Sequence, residues 1–245
     1  MPNNKRLLGL LAAIVVLLAI AGVLGLLLLV FPAQQAKEPS KESFSQVIVE
    51  ASASSVAGAS GEPIRVARDY TVEIQHLNQY ENLMSGCEVV SLAVAMQAEG
   101  FAVDPVEIAN EYLREGDDIE RDYLGSPWEN GGGYPPSIVD AANAWLADNG
   151  GGARAVDLTG MSFDSVCALV DGGYPVLVWT TEGLTEPYFD DNGWYQPEHC
   201  VVLYGYDNDL VYVSDSLEGL VARDRDRFAE VYEACGNRAA YVMVM

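Results

Sequence analysis

Basic residues are scarce in this chain of 245 residues: 13 Lys and Arg stand against 36 Asp and Glu, for a net charge of −23. A surface that negative repels phosphate backbones and anionic headgroups, so nucleic-acid binding is not expected. Histidine is limited to His76 and His199, and the four cysteines, Cys87, Cys167, Cys200 and Cys235, contain no C-x-x-C pair. That inventory argues against a structural zinc site, and no cofactor is expected. No internal repeat is visible. Half of the residues are apolar, enough to bury the core of one domain of ordinary size with accessory segments.

One stretch lacks charge altogether. Leu7 to Phe31 is an uncharged run of 25 residues, and at about 1.5 Å per residue a helix of that length covers a hydrocarbon core of about 30 Å. Lys5 and Arg6 precede it. The positive-inside rule then makes 1–6 a cytoplasmic tail, 7–31 a transmembrane signal anchor, and the remainder extracytoplasmic. The competing reading is a cleaved signal peptide, whose apolar region runs to about 7–15 residues; this run is longer. Residues 32–66, rich in Ala, Ser, Glu, Lys and Gly, read as a flexible stalk, and 67–245 as the folded domain. Outside the cytoplasm a disulfide is possible. Cys167 and Cys235, each expected on a helix, are the candidate pair, with a Cα separation not readable from sequence.

Within the domain, Tyr70 to Ile74 alternates as a short strand, and a loop through Gln79 leads to Ser85-Gly86-Cys87-Glu88. The S-x-x-E spacing predicts a capping box, with Ser85 as N-cap of a helix ending at Gly100. It puts Cys87 in the first turn, where free N–H groups and the helix dipole favour a thiolate and a lowered pKa. Asp104 and Pro105 start a second helix, Ser137 caps one to about Asp148, Ser162 begins another through Leu169, and Arg225 to Cys235 forms the last. Strands are expected at Pro175–Thr180, His199–Tyr206, Leu210–Val213 and Ala240–Met245. Helices come first and consecutive strands later, so the class is α+β with a mainly antiparallel sheet. The acid cluster at Asp190-Asp191-Asn192 lacks the regular spacing of a calcium loop and reads as solvated.

A cysteine nucleophile needs a base, a group that orients the base, and donors for the oxyanion. His199 opens a strand beside the aromatic loop 184–198, where an imidazole can face a cleft; His76 is its rival. Asp215 follows the hairpin partner of the His199 strand, and a hairpin sets the ends of its strands side by side. Gln79 can present an amide N–H near the thiol. Cys200, next to His199 in the strand, faces the opposite way, towards the core. The Gly-rich loop 125–136 and the loop 184–198 are the candidate substrate contacts.

These residues carry a resemblance. Leu77-Asn78-Gln79, the run Ser85 to Ala93, Gly125-Ser-Pro-Trp-Glu-Asn-Gly-Gly-Gly133, Pro175-Val-Leu-Val-Trp179, Glu198 to Tyr206 and Val213-Ser-Asp215 together resemble the C39-like family of papain-fold cysteine peptidases, over about 68–245. The resemblance implies a papain-like fold, Cys87 as nucleophile, His199 as general base and acid, Asp215 as the residue orienting the imidazole and Gln79 as oxyanion-hole residue. It departs from the family pattern at Met84 and Ser216, where proline is frequent, and neither change removes a reacting group. The expected activity is peptide-bond hydrolysis on a peptide or protein substrate by an extracytoplasmic, membrane-anchored enzyme. Alternatives are a cell-wall peptide amidase or acyltransferase, or a peptide-binding module without turnover.

Overall fold

The computed structural model describes residues 70–81 and 83–245. The expected tail, anchor and stalk lie outside them; among the described residues no helix is long and apolar enough to cross a membrane. In chain order the strands are β1 (Tyr70–Thr71), β2 (Glu115–Gly116), β3 (Tyr123–Gly125), β4 (Gly131–Gly132), β5 (Ala153–Asp157), β6 (Val176–Thr181), β7 (Tyr188–Phe189), β8 (Tyr195–Gln196), β9 (Glu198–Tyr206), β10 (Leu210–Asp215), β11 (Gly219–Asp224) and β12 (Ala239–Val244). The helices are α1 (Cys87–Ala98), α2 (Pro105–Glu111), α3 (Pro135–Asn149), α4 (Phe163–Asp171) and α5 (Arg225–Ala234).

The main sheet runs β11-β10-β9-β6-β12-β5, with β1 beside the far end of β9. Every pairing in it is antiparallel; the parallel pair β2–β3 belongs to a small separate sheet. This is the α+β class with a mainly antiparallel sheet. β6 and β9 are apolar on both faces because the sheet is covered on both. Leu177, Trp179, Cys200 and Val202 pack into the cluster with α1 and α3. Their neighbours Val176, Val178, Val201 and Leu203 pack into the cluster with α4 and α5. Residues two apart in a strand share a face, so each strand feeds both clusters.

Local chemistry sets the helix ends. Asp104 Oδ1 accepts from Val106 N–H at 2.9 Å to start α2, Ser162 caps α4, and Asp224 Oδ1 accepts from Arg227 N–H at 2.8 Å to start α5. α1 ends in a Schellman turn: Gly100, at φ +90°, and Phe101 return N–H groups to Gln97 and Met96 at 3.0 Å each. Two expected caps are corrected. α3 starts two residues before Ser137, with Tyr134 as N-cap and proline in its first turn, since a proline there has no N–H to leave unpaired. α1 starts at Cys87 with Gly86 as N-cap and no side-chain cap. Ser85 is engaged elsewhere: its Oγ donates to Gly131 O at 3.2 Å and accepts from Gly131 N–H at 3.1 Å.

Two buried hydrogen bonds tie α1 and the loop before α3 to the sheet. Ser91 Oγ donates to Cys200 O at 3.1 Å, and Trp179 Nε1 donates to Gly133 O at 2.8 Å. Replacing Trp179 by Phe keeps an apolar ring but leaves the Gly133 carbonyl buried without that donor. The expected cost is about 1–3 kcal/mol, read as a lower urea midpoint; an unchanged midpoint would show that the bond contributes nothing.

Candidate active site

Cys87 is the first residue of α1, so its N–H has no partner within the helix. Glu198, Cys200 and Val202 alternate along β9 on the side facing α1, while His199 and Val201 turn the other way. His199 opens onto two hollows. One is shared with Asp215, Val213 and Phe228. The other is a polar cavity of about 210 Å³ whose walls include Gln79, Cys87, Asn130, Trp194, Glu198 and His199. The Gly-rich loop contributes Asn130 and Gly131 to that cavity, and the aromatic loop contributes Trp194, Gln196 and Glu198. Gly132 admits no larger residue: a Cβ there would lie 2.5 Å from Trp194 Cζ2 and 2.8 Å from Glu198 Oε2.

The imidazole is firmly held. His199 Nε2 and Asp215 Oδ1 are 2.8 Å apart, both residues being buried. The same oxygen accepts from Leu217 N–H at 2.9 Å, and Arg223 stands 3.6 Å from the other. With Nε2 bonded to Asp215, Nδ1 is the nitrogen left for the cavity. Burial opposes ionisation of Asp215, but the His199 hydrogen bond and charge, with the N–H groups of Leu217 and Glu218, outweigh it and hold the carboxyl below its ordinary value. His76, the rival, stands with Nδ1 3.4 Å from Ser214 Oγ and is not among the cavity walls.

Gln79 is anchored at both ends of its amide. Its Oε1 accepts from Ser216 Oγ at 2.6 Å and its Nε2 donates to Met84 O at 3.0 Å. Its backbone N–H donates to Ser216 O at 3.0 Å. Met84 takes one of the two amide hydrogens, and the other is placed at the cavity that Gln79 lines. The two positions that depart from the family pattern, Met84 and Ser216, are therefore the ones that orient Gln79.

The thiol departs from expectation. Cys87 Sγ donates to Glu88 Oε2 at 3.4 Å, not to His199. Its pKa is pushed up, first by burial and then by the neighbouring acids Glu88 and Glu198 and by Cys200. The helix start favours a thiolate, but desolvation and two carboxyl groups outweigh it, so the expected lowering is corrected to a rise. Glu88 also accepts from Gly133 N–H at 2.7 Å and from Tyr123 OH at 3.4 Å. Burial raises the pKa of both Glu88 and Glu198. The Cys87 sulfur and the carboxylate oxygens of Glu88 and Glu198 lie within 4.8 Å of one another. Sequence reading missed both acids, because a glutamate is ordinarily exposed.

None of the four cysteines forms a disulfide and all are buried, so Cys167 and Cys235 are not bridged. Asp190 Oδ1 accepts from the N–H groups of Asn192 and Trp194 at 2.8 and 3.0 Å, a turn-forming role.

The lowered Asp215 value has a signed consequence. Its stabilisation is present above the unfolded carboxyl range and is lost as pH falls through the folded value. Asp215→Asn is expected to be less stable than the parent at neutral pH, with the gap in urea midpoint closing as the medium is acidified below about pH 4. A gap constant with pH would contradict an ionised Asp215.

The chain is 27% identical over 225 residues to the uncharacterized protein YvpB of Bacillus subtilis, covering 83% of this chain and 87% of YvpB. Among solved structures it resembles an inferred C39-like peptidase of Bacillus anthracis, at 27% identity and a TM-score of 0.64, covering 74% of this chain and 99% of that one. Residues 69–240, most of the chain and every strand from β1 to β11, match the Peptidase_C39 like family, and the chain belongs to that family.

Proposed function

We propose that this protein is a cysteine peptidase acting by acyl transfer, with Cys87, His199, Asp215 and Gln79 as its working residues. The observation that carries the reading is a single cavity of about 210 Å³ shared by Cys87, Gln79 and His199, with the imidazole bonded behind it to a buried Asp215. His199 Nδ1 takes the thiol proton and the sulfur attacks a substrate carbonyl carbon. The resulting oxyanion is met by the Gln79 amide and the Cys87 backbone N–H, both fixed before substrate arrives. His199 returns the proton to the leaving amine, and the thioester is hydrolysed by water that His199 activates. Asp215 keeps the ring oriented and balances the imidazolium charge.

The substrate we infer is a peptide or protein, entering between the 125–136 and 184–198 loops. Anchoring through residues 7–31, with the domain on the extracytoplasmic side, belongs to the same proposal and rests on the uncharged run and Lys5 and Arg6.

Iodoacetamide is expected to add once to the native protein and not at all to Cys87→Ala, since Cys167, Cys200 and Cys235 are 2%, 0% and 0% exposed. A persistent adduct in that variant would overturn the assignment. His199→Ala should lower kcat/KM on a cleaved peptide by about 10²–10⁴-fold; undiminished turnover would remove His199 from the mechanism. For the anchor, the full chain is expected in the membrane fraction and a chain lacking residues 1–31 in the soluble fraction; equal partitioning of the two would defeat it.

A further inference from the structure

The cavity contains more acid than the mechanism uses. Glu88 and Glu198 face each other from α1 and β9 beside the Cys87 sulfur, with the sulfur and a carboxylate oxygen of each acid within 4.8 Å of one another. Two buried carboxyl groups this close, with no basic side chain bonded to either among the described residues, do not both ionise; one proton is shared. The hydrogen bonds assign it. Donors converge on Glu88, from Gly133 N–H, Tyr123 OH and Cys87 Sγ, as around a carboxylate. Glu198 Oε1 is buried and has no partner, as suits the neutral acid.

The other groups around the pair do not alter this balance. Tyr123 from β3, Tyr195 from β8, Cys200 from β9 and Cys235 after α5 are all buried and neutral. His199 shares the cavity wall with Cys87 and Glu198, and its Nε2 is bonded to Asp215. The nearby cation, Arg238, bonds Glu120 at 2.6 and 2.9 Å and lies 3.6 Å from the Tyr134 ring.

We propose that Glu88 and Glu198 are a proton-sharing pair whose carboxylate, on Glu88, holds the Cys87 thiol in a resting position, so that the thiol must turn from Glu88 to His199 before it can react. Glu88 is thus a positioning residue, and Glu198 keeps it charged singly. The proposal rests on Cys87 being the nucleophile. In the activating step the S–H bond breaks, an N–H bond forms on His199 Nδ1, and the electron pair stays on sulfur. The Glu88–Glu198 proton is not transferred.

The test is the pH dependence of Cys87 alkylation by iodoacetamide, followed by intact mass with EDTA present to exclude bound metal. Glu198→Gln supplies an N–H in place of the acid proton and should leave the midpoint within about 0.3 pH unit of the parent. Glu88→Gln with Glu198→Gln removes the remaining charge and should lower it by roughly one to two units. A midpoint that falls as far with Glu198→Gln alone would mean two ionised carboxylates, and one unmoved in the double variant would mean that Glu88 does not govern the thiol. Either overturns this proposal while leaving Cys87 as nucleophile. A folded parent that does not alkylate at any pH defeats both readings.

A second measurement stands if the double variant does not fold. A carboxyl with a raised folded value contributes stability that is full at acid pH and is lost as pH rises through that value. The parent should therefore lose urea stability on going from pH 4 to pH 8 relative to Glu198→Gln. Parallel profiles would overturn the shared proton.

Discussion

The site depends on the pairing of β9 between β6 and β10. β9 registers against β6 from Val176↔Leu203 to Thr181↔Glu198, and against β10 from Val211↔Tyr206 to Ser214↔Val202, with an irregularity between Tyr212 and Val213. A one-residue slip would exchange the faces of all its side chains. It would send Glu198 and Cys200 into the cluster of α4 and α5 and turn His199 towards α1. The burial of alternating apolar residues in both clusters therefore fixes which side of the strand the acid and the imidazole occupy.

That arrangement sets opposing demands on Cys87. A helix start offers an unpaired N–H for an oxyanion, and placing it against a central strand excludes water and strengthens every interaction there. The same exclusion works against a thiolate, and the adjacent carboxyl groups add to it. In the mechanism we propose, reactivity depends on where the thiol points, because proton transfer to His199 would relieve the charge that Glu88 disfavours.

Much of this was legible in the residues. Asp104 and Ser162 announced their helices because a short polar side chain before an apolar run has a definite task there. β6, β9 and β10 were legible as apolar runs, and Gln79, Cys87, His199 and Asp215 as residue types that one chemistry needs. β5 and β11 were not, because they are edge strands: in β5 only Ala155 is buried, and β11 alternates between exposed and half-buried positions. Such strands are held by backbone pairing, which leaves little trace in side-chain pattern. The Ser85 cap failed because the hydroxyl had a tertiary partner in Gly131, and Glu88, read only as a capping-box partner, is instead buried by bonds to Gly133 and Tyr123 from distant segments.

The attachment of Gln79 to Ser216 has a wider meaning. Ser216 is the residue next to Asp215, and it bonds Gln79 through both hydroxyl and carbonyl. The Gln79 amide, which we propose for the oxyanion, and the Asp215 carboxylate bonded to His199 are thus both tied to one short piece of chain at the end of β10. A displacement of that piece would carry both out of alignment together, so the donor and the orienter act as a single mechanical part with two chemical ends.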